Sequence, residues 1–339
     1  MLDFKYSYCL WRYANLLWTE IFAHKPTGMS EKIAIVDLGT NTFHLLIAEH
    51  TGEASRVLHR EKQPVKIGMG GINQGLITGA AIQRAVTCLH QFKKTMDDWA
   101  VGRTFAFGTS ALRSATNRSE VVQRIEKETG IKVKVISGDE EAEFIFFGIR
   151  SAMNLGLGKS LIVDIGGGSV EFIIANSETI FWKHSFDLGA QRLLERYHHH
   201  DPILSEEVKA LEDYFAASLP LLREAIQIHL PETLVGSSGT FDTLSEVHCI
   251  RQNIPFSHED RETPLTPEAF YPIHRELISK NRAERLQTPG MIEMRVDMIV
   301  VASCLVNYLL KNFPFRKIRV SSYSMKEGVL ARYLDELGA

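Results

Sequence analysis

Two aspartates stand at matched places in the chain, each directly before a glycine-rich turn. Asp37 opens the segment DLGTNT, and Asp164 opens the segment DIGGGS. Glycines allow the backbone to turn tightly and to point several N–H groups to one side, which creates a favourable site for phosphate. Carboxylates suit Mg²⁺, a cation that takes oxygen ligands and bridges to phosphate. The pattern predicts two phosphate-binding turns, with Mg²⁺ held by Asp37 and Asp164.

The two turns belong to a longer internal repeat. The segments AIVDLGTNTFHLLIAE (34–49) and LIVDIGGGSVEFIIAN (161–176) align without gaps, and each has the pattern of a strand, a turn and a second strand. A hairpin turn alone would explain one copy, whereas two copies favour a duplicated domain with a phosphate site. We expect the second glycine of DIGGGS to adopt a positive φ. The predicted phosphate-binding residues of the turns are Gly39, Thr40, Asn41, Thr42, Gly166, Gly167, Gly168 and Ser169.

The length, composition and net charge limit the classes of protein to which this chain can belong. A chain of 339 residues suits two domains of about 150 residues each, which we predict over residues 29–153 and 154–339. Hydrophobic residues at 45% and charged residues at 23% are ordinary for a soluble globular protein. The net charge of −3 argues against a nucleic-acid partner. We also expect no membrane partner.

Three minor features have their own interpretations. The four cysteines are scattered, which excludes a cysteine zinc site and favours a reducing, cytoplasmic location. The histidine run 198–200 is able to bind metal, but we interpret it as a solvated loop. Residues 1–28 are aromatic and roughly amphipathic, and too charged to span a bilayer. We interpret them either as a non-native upstream extension or as a docking helix.

The order of apolar segments predicts the elements that carry these residues. The first half has the pattern β-β-β-α-β-α-β followed by a helix, and the second half repeats it. Strands that alternate with helices imply mostly parallel sheets covered on both faces, in the α/β class. The tight turns require the first three strands of each copy to be antiparallel. A cleft between two such domains is the natural place for a ligand.

Seven sequence blocks together resemble a known family. They are DLGTNTFHLLIA, GTSALRSATN, ISGDEEAEFIFFGI, LIVDIGGGSVEFII, VGSSGT, TPGMIEMRVDMIV and MKEGVL. In order and number they resemble the exopolyphosphatase/guanosine pentaphosphate phosphohydrolase family of the actin-like ATPase superfamily. The resemblance runs from Ile33 to the C-terminus. It implies an α/β fold of two duplicated actin-like ATPase (ribonuclease H-like) domains with a cleft between them. Longer members carry an extra C-terminal domain, and this chain resembles the short form.

Two adjacent glutamates begin a predicted helix, and we expect different roles for them. Ser137 and Glu140 fit the S-x-x-E capping box, and acids are favourable in the first turn of a helix. Glu140 is therefore interpreted as a cap. Glu141 has no such role, and the apolar residues behind it predict a buried carboxylate with a raised pKa, suited to general-base catalysis. The family resemblance also implies that Glu141 is the catalytic base.

The resemblance implies two more residues near the reacting phosphate. Glu171, at the repeat position of His44, would be a second catalytic acid that orients water or metal, although strand alternation alone could leave it in solvent. Arg113, in the block GTSALRSATN, would bind phosphate oxygens through its guanidinium. The alternative for Arg113 is a surface arginine that caps a loop.

The block VGSSGT resembles the adenosine-side motif of the superfamily. Its Ser238 and Gly239 would bind an anion or pack against a nucleotide, although tight strand–helix packing would also require glycine. Arg295 and Asp297 are interpreted as residues that brace a helix over 295–310, rather than as ligand contacts.

The expected activity is removal of a terminal phosphate from a phosphoanhydride chain by water. Phosphoryl transfer is mostly a matter of positioning and charge neutralisation, which the turns, Mg²⁺ and the two glutamates would supply. The expected substrates are polyphosphate and guanosine pentaphosphate, and the sparse basic residues favour short chains or the nucleotide only slightly. A kinase of the same superfamily and a non-catalytic polyphosphate or alarmone sensor are the alternatives. A second copy of the chain, as a homodimer, is a candidate partner.

Overall fold

A computed structural model describes residues 30–52, 55–257 and 259–337. The interpretations of residues 1–28 lie outside these ranges. Within them the backbone forms two mixed β-sheets and twelve α-helices, so the predicted α/β class is confirmed. The expectation of mostly parallel sheets was wrong, because five of the nine described strand pairs are antiparallel. None of these twelve helices is long and apolar enough to cross a membrane.

The first sheet comes from the first half of the chain and has the strand order β3-β2-β1-β4-β5. Its strands are β1 (Glu31–Leu38), β2 (Phe43–His50), β3 (Ser55–Gln63), β4 (Arg103–Gly108) and β5 (Val133–Val135). The accompanying helices are α1 (Gly79–Asp98), α2 (Ser110–Ser114), α3 (Arg118–Thr129) and α4 (Gly138–Ala152). The first three strands pair antiparallel as predicted, and the last two join in parallel.

The second sheet has the order β10-β11-β9-β6-β7-β8. Its strands are β6 (Ser160–Ile165), β7 (Val170–Ala175), β8 (Ile180–Phe186), β9 (Thr233–Ser237), β10 (Glu262–Thr263) and β11 (Lys317–Ser321). Its helices are α5 (Ala190–Tyr197), α6 (Ser205–Ser218), α7 (Pro220–His229), α8 (Ser238–Gln252), α9 (Pro267–Ser279), α10 (Arg282–Leu286), α11 (Met298–Asn312) and α12 (Met325–Leu337).

Two helix boundaries differ from the sequence-based expectation. A single helix was expected over 205–229, but Pro220 divides it, because proline lacks the N–H that an interior helical position needs and is tolerated at a helix start. The helix expected over 295–310 begins instead at Met298.

The internal repeat is present in the strand pairing as well as in the sequence. In the first sheet Asp37 lies opposite His44, and in the second Asp164 lies opposite Glu171. The order β3-β2-β1-β4 of the first sheet matches β8-β7-β6-β9 of the second. Both β1 and β6 are central strands, which explains their nearly continuous apolar runs. The two halves therefore place their glycine turns at equivalent positions.

Helices α4 and α12 pack against each other and connect the two halves. A Cβ atom on Gly328 would lie 1.6 Å from the carbonyl oxygen of Phe144, and one on Gly148 would lie 2.1 Å from the carbonyl oxygen of Ser324. The helices are thus in backbone contact where these glycines cross. The contact lies at the first turn of α12 and, on α4, within two helical turns of Glu141. The domain boundary after residue 153 stays a prediction.

Candidate active site

The second glycine turn, residues 166–169, directs its amide groups to one side. The carbonyl oxygens of residues 166 and 167 accept from the first two N–H groups of α5, at 2.9 and 2.8 Å. The carbonyl oxygen of Gly168 accepts from Arg192 Nε at 2.7 Å. In a planar trans peptide the N–H points opposite to the carbonyl. The N–H groups of residues 167–169 therefore point away from α5.

The first turn, residues 39–42, is held in the same way by a loop of the first half. The carbonyl oxygen of Thr40 accepts from the N–H of Gly68 at 3.0 Å, and that of Asn41 accepts from the N–H of Lys66 at 2.8 Å. The N–H groups of residues 41 and 42 consequently point away from this loop. In both turns the carbonyls are occupied and the amides are directed elsewhere, which supports the predicted role in phosphate binding.

The two turns approach each other directly. A Cβ atom on Gly167 would lie 2.6 Å from Asn41 Nδ2 and 3.0 Å from Thr40 Cβ, and one on Gly168 would lie 2.6 Å from Thr40 Oγ1. The expectation of a positive φ at Gly167 was wrong, because no glycine of either turn has a φ in the left-handed region. Glycine is required in the second turn because the first turn comes so close.

Four buried polar atoms around the turns have no hydrogen-bond partner among the described residues. They are Asp37 Oδ1, Thr40 Oγ1, Asn41 Oδ1 and Ser110 Oγ. Buried polar atoms are almost always paired in folded proteins, so this cluster is a candidate ligand site. Ser110 was not among the predicted residues. The signal that could have identified it is its place in GTSALRSATN, three residues before Arg113.

The carboxyl group of Asp37 is in an unusually negative environment. Burial, together with the nearby carboxylates of Glu141, Asp164 and Glu327, raises its pKa from 3.8 to about 8, against the opposing charge of Lys326. Nearby negative charge and removal from water both disfavour the ionised form. A divalent cation would relieve this repulsion. Lys326, which the sequence analysis did not single out, is the nearby cation that partly does so.

Asp164 is fixed by two hydroxyl groups. Its Oδ2 accepts from Ser237 Oγ at 2.6 Å and from Ser324 Oγ at 2.5 Å. In residues 30–52, 55–257 and 259–337, no group of three or more His, Cys, Asp and Glu side chains forms a metal site. Mg²⁺ commonly takes only one or two carboxylates, together with substrate phosphates. Asp37, with its unpartnered oxygen, and Asp164 fit that mode of binding.

Glu140 and Glu141 have the separate environments that the sequence predicts. The Ser137 hydroxyl accepts from the N–H of Glu140 at 3.1 Å, and Glu140 Oε2 accepts from the N–H of Ser137 at 2.8 Å, which completes a capping box. The side chain of Glu141 is only 12% exposed and accepts from Arg113 Nη1 at 2.8 Å. Burial raises the pKa of Glu141 although Arg113 opposes the shift.

Glu171 is buried in β7, so the solvent-facing alternative is excluded. Its Oε1 accepts from Ser169 Oγ at 2.7 Å and from Ser185 Oγ at 2.6 Å. Burial, and then the charges of Glu141 and Asp164, raise the pKa of Glu171 well above its ordinary value. Ser185 was not predicted, because its partner lies on the neighbouring strand and sequence spacing does not reveal this contact.

Arg113 joins the two glutamates and the second turn. Its guanidinium lies 3.9 Å from Glu171 Oε1, in addition to the contact with Glu141. Its Nη2 also donates to Ser169 Oγ and Ser185 Oγ, each at 3.4 Å. Arg113 is therefore part of the site rather than a surface cap. In this arrangement its charge is directed at carboxylates, and its contact with phosphate stays a prediction.

The adenosine-like motif at the start of α8 is covered by an arginine. A Cβ atom on Gly239 would lie 2.0 Å from the Cζ of Arg295, and the charges of Asp242 and Asp164 act on that guanidinium. Ser238 has a φ of 64° and donates through its hydroxyl to the carbonyl of Ile165 at 3.4 Å. Arg295 precedes α11 and its side chain covers Gly239, while its carbonyl oxygen accepts from the N–H of Ile299 in the first turn of α11 at 2.9 Å. The interpretation of Arg295 as a helix brace stays a prediction. Anion or nucleotide binding by Ser238 and Gly239 stays a prediction.

The histidine run is not uniformly solvated. His199 and His200 are exposed, as expected for a loop. His198 departs from that expectation, because its side chain is only 5% exposed and neither ring nitrogen has a partner among the described residues.

Two duplicated α/β units with facing glycine turns and buried carboxylates define an actin-like ATPase fold. Residues 46–337 match the Ppx/GppA phosphatase family, and the chain belongs to this family.

Curated relatives carry two kinds of name. A protein of Haemophilus influenzae described as a putative exopolyphosphatase is 27% identical, over 91% of this chain and 94% of the relative. A guanosine-5'-triphosphate,3'-diphosphate pyrophosphatase of Pseudoalteromonas translucida is 29% identical over 90% of this chain, which spans only 59% of that longer relative.

Solved structures agree on the fold. An exopolyphosphatase from Cytophaga hutchinsonii is 43% identical, with a TM-score of 0.88 over 90% of this chain and 98% of the other. A Ppx/GppA family member from Aquifex aeolicus has a TM-score of 0.74 at 23% identity, over 91% of this chain and 99% of the other, and supports the fold alone.

Proposed function

We propose that this chain is a phosphoanhydride hydrolase that releases the terminal phosphate from inorganic polyphosphate or from guanosine pentaphosphate. The names of the relatives support both substrates. The observation that carries the proposal is the Arg113 guanidinium, which bonds to Glu141 at 2.8 Å and to Ser169 of the second turn at 3.4 Å. The Arg113 guanidinium thus bridges the buried carboxylate of Glu141, whose pKa is raised, and the glycine turn that we propose binds phosphate.

Each group of residues in the site has a separate role in phosphoryl transfer. The N–H groups of residues 41, 42 and 167–169 hold the terminal phosphates, and the unpartnered hydroxyls of Thr40 and Ser110 add donors. Glu141 removes a proton from the attacking water. Glu171, held by two serine hydroxyls, orients that water. The positive charge of Arg113 keeps the two glutamates close together despite their repulsion.

Mg²⁺ would be held by Asp37 and Asp164 and would neutralise charge on the phosphate oxygens. The test is thermal unfolding of the free protein with and without Mg²⁺. A ligand that binds only the folded state raises the unfolding temperature. Asp37→Asn is expected to abolish this rise, whereas Asp139→Asn, on the exposed side of the start of α4, is expected to preserve it. An unchanged rise with Asp37→Asn contradicts the metal assignment.

Phosphate release tests the function as a whole. The wild-type protein is incubated with Mg²⁺ and, side by side, short polyphosphate, long polyphosphate and guanosine pentaphosphate, without any acceptor alcohol. Release from at least one of them supports hydrolysis and excludes a kinase that needs an acceptor. Binding of these compounds with no turnover would show instead a polyphosphate or alarmone sensor.

Two further experiments test the other predictions. Size-exclusion chromatography with light scattering in the same buffer tests the predicted homodimer. The location of a fluorescent fusion protein in its host tests the predicted cytoplasmic location.

A further inference from the structure

Arg192, in the first turn of α5, is a buried arginine to which the proposed hydrolysis gives no role. The residue is 8% exposed. Its Nη2 lies 3.6 Å from Asp187 Oδ1, but the side chain of Asp187 is 67% exposed, so water screens this ion pair. Burial of a charge is costly unless hydrogen bonds compensate it. The partners of the guanidinium therefore indicate why an arginine stands at this position.

The Nε of Arg192 holds one peptide of the second glycine turn. It donates to the carbonyl oxygen of Gly168 at 2.7 Å. The N–H of Ser169 belongs to the same planar peptide and points the opposite way. This bond therefore fixes the direction of an amide that we propose binds the terminal phosphate. It also fixes the start of Ser169, whose hydroxyl donates to Glu171 Oε1 at 2.7 Å.

The other two nitrogens of Arg192 reach the first half of the molecule. Nη1 donates to the carbonyl oxygen of Ile72 at 2.8 Å, and Nη2 donates to the hydroxyl of Ser114 at 3.0 Å. The Ser114 hydroxyl donates in turn to the carbonyl oxygen of Ser110 at 2.9 Å. Arg192 is thus bonded to α2, the short helix that also carries Arg113.

These three bonds require the shape of a guanidinium as well as its charge. Arginine presents several N–H groups in a rigid planar fork, whereas lysine is a compact point charge. One fork joins the peptide of Gly168 to Ile72 and to Ser114 at the same time. The second turn, the first-half loop around Ile72 and helix α2 are consequently fixed relative to one another by one side chain.

Glu195, one turn further along α5, also connects the two halves. Its Oε1 accepts from the N–H of Gly70 at 3.0 Å, and its Oε2 accepts from Asn73 Nδ2 at 3.1 Å. These bonds reach the same first-half loop that Arg192 contacts at Ile72, but they do not involve the peptide of Gly168. A comparison of Arg192 with Glu195 therefore separates the orientation of the turn from the joining of the two halves.

We propose that Arg192 is a positioning residue of the hydrolase. It directs the amide of Ser169 at the terminal phosphate, and it holds α2 so that Arg113 stays aligned with Glu141 and the second turn. This inference rests on the proposed hydrolase function and deepens it. The second turn is correctly oriented for the reaction only while Arg192 joins it to the first half.

Steady-state rates and equilibrium binding of tripolyphosphate, both with Mg²⁺, test this role. Arg192→Ala is expected to weaken binding about tenfold, the effect of one lost hydrogen bond to a charged group. Its kcat is expected to fall about 100-fold, because a misdirected donor at the reacting phosphate is most costly in the transition state. Glu195→Ala is expected to keep both quantities within about threefold of wild type. Arg196→Ala removes the same charge from an exposed position of the same helix and is expected to change neither.

Equal losses of kcat in Arg192→Ala and Glu195→Ala would overturn the positioning role and leave Arg192 as a bond between the halves. A folded Arg192→Ala protein with wild-type kcat overturns it as well. If this variant does not fold, Arg192→Lys retains the charge without the fork and is expected to show the same pattern with a smaller loss.

A wild-type protein that releases no phosphate from tripolyphosphate contradicts the hydrolase function, and binding then decides the role of Arg192. Weaker binding in Arg192→Ala but not in Glu195→Ala supports the orientation of the turn by Arg192. Equal affinities of these two variants overturn it.

Discussion

Glu171 and Ser185 face each other across strands β7 and β8, and the Ser185 hydroxyl donates to Glu171 Oε1 at 2.6 Å. The same hydroxyl accepts from Arg113 Nη2 at 3.4 Å. A Cβ atom on Gly138, the first residue of α4, would lie 2.3 Å from Ser185 Cβ. Ser185 therefore touches the strand that carries Glu171 and the helix that carries Glu141, so it is placed to hold both glutamates in position.

Ser185→Ala is expected to lower kcat about tenfold with little change in KM, because the variant loses one hydrogen bond to a charged group. The Ser185 hydroxyl lowers the pKa of Glu171, so its removal raises that pKa further. The acid limb of the pH–rate profile should consequently move to higher pH. The measurement is kcat as a function of pH for wild type and variant.

Ser177→Ala, in the turn between β7 and β8, makes the same chemical change outside the site and is expected to leave the profile unchanged. Ser185→Cys retains a weak donor and should recover part of the rate. If kcat falls but the acid limb of the pH–rate profile does not move, Ser185 acts only by packing against Gly138.

Gly167→Ala tests the close approach of the two turns. The added methyl group would lie 2.6 Å from Asn41 Nδ2, so the first turn must move, at a cost of about 1–3 kcal/mol in the free energy of unfolding. The displaced amides should lower kcat/KM at least tenfold. Gly158→Ala is the control, because nothing lies within 4 Å of its added Cβ. A folded Gly167→Ala protein with wild-type kcat/KM would contradict the role of this turn.

The sequence predicted the repeated parts of the fold well, because local patterns determine them. Strand, glycine turn and strand recur with the same spacing in both halves, and the pairing of Asp37 with His44 and of Asp164 with Glu171 follows from that repeat. The capping box at Ser137 was equally predictable, because it involves only Ser137 and Glu140, which are three residues apart in the sequence. The division of one predicted helix at Pro220 was also available from the sequence and was missed.

The contacts that complete the site were not predictable in this way. Arg295 reaches Gly239, and Lys326 reaches Asp37, across more than fifty residues of chain in each case. Such contacts depend on how helices cross, as α4 and α12 do at Gly148 and Gly328, and a single sequence carries no spacing signal for them. The burial of His198 was missed for the same reason.

His274 makes the stability of the second half depend on pH. Its ring is buried beside Phe270, and Nδ1 lies 2.9 Å from Ser303 Oγ. Burial lowers the pKa of His274 from 6.5 to about 4. Between these values the unfolded chain binds a proton that the folded protein excludes. Stability is therefore complete above pH 6.5 and falls as the pH drops towards 4, by about 3 kcal/mol for this group.

His274→Gln should remove that part of the acid dependence. The measurement is the free energy of unfolding in urea at pH 7 and pH 4.5, for wild type and variant. His90→Gln, on the exposed side of α1, removes a histidine without altering the core and should retain the wild-type slope. If the free energy of unfolding falls by the same amount between pH 7 and pH 4.5 in all three proteins, His274 does not control the loss of stability in acid.

The paired variants Glu141→Gln and Glu140→Gln test the catalytic base within one helical turn. Both changes are isosteric and remove one negative charge. Glu140 serves as a cap and accepts from Lys134 Nζ at 2.8 Å, so its replacement should cost about 1 kcal/mol at most and leave kcat nearly normal. Glutamine at position 141 cannot accept a proton from water, so kcat should fall about 10²–10⁴-fold while substrate binding is retained. The reverse pattern would assign the base to Glu140, and equal mild losses would transfer that role to Glu171.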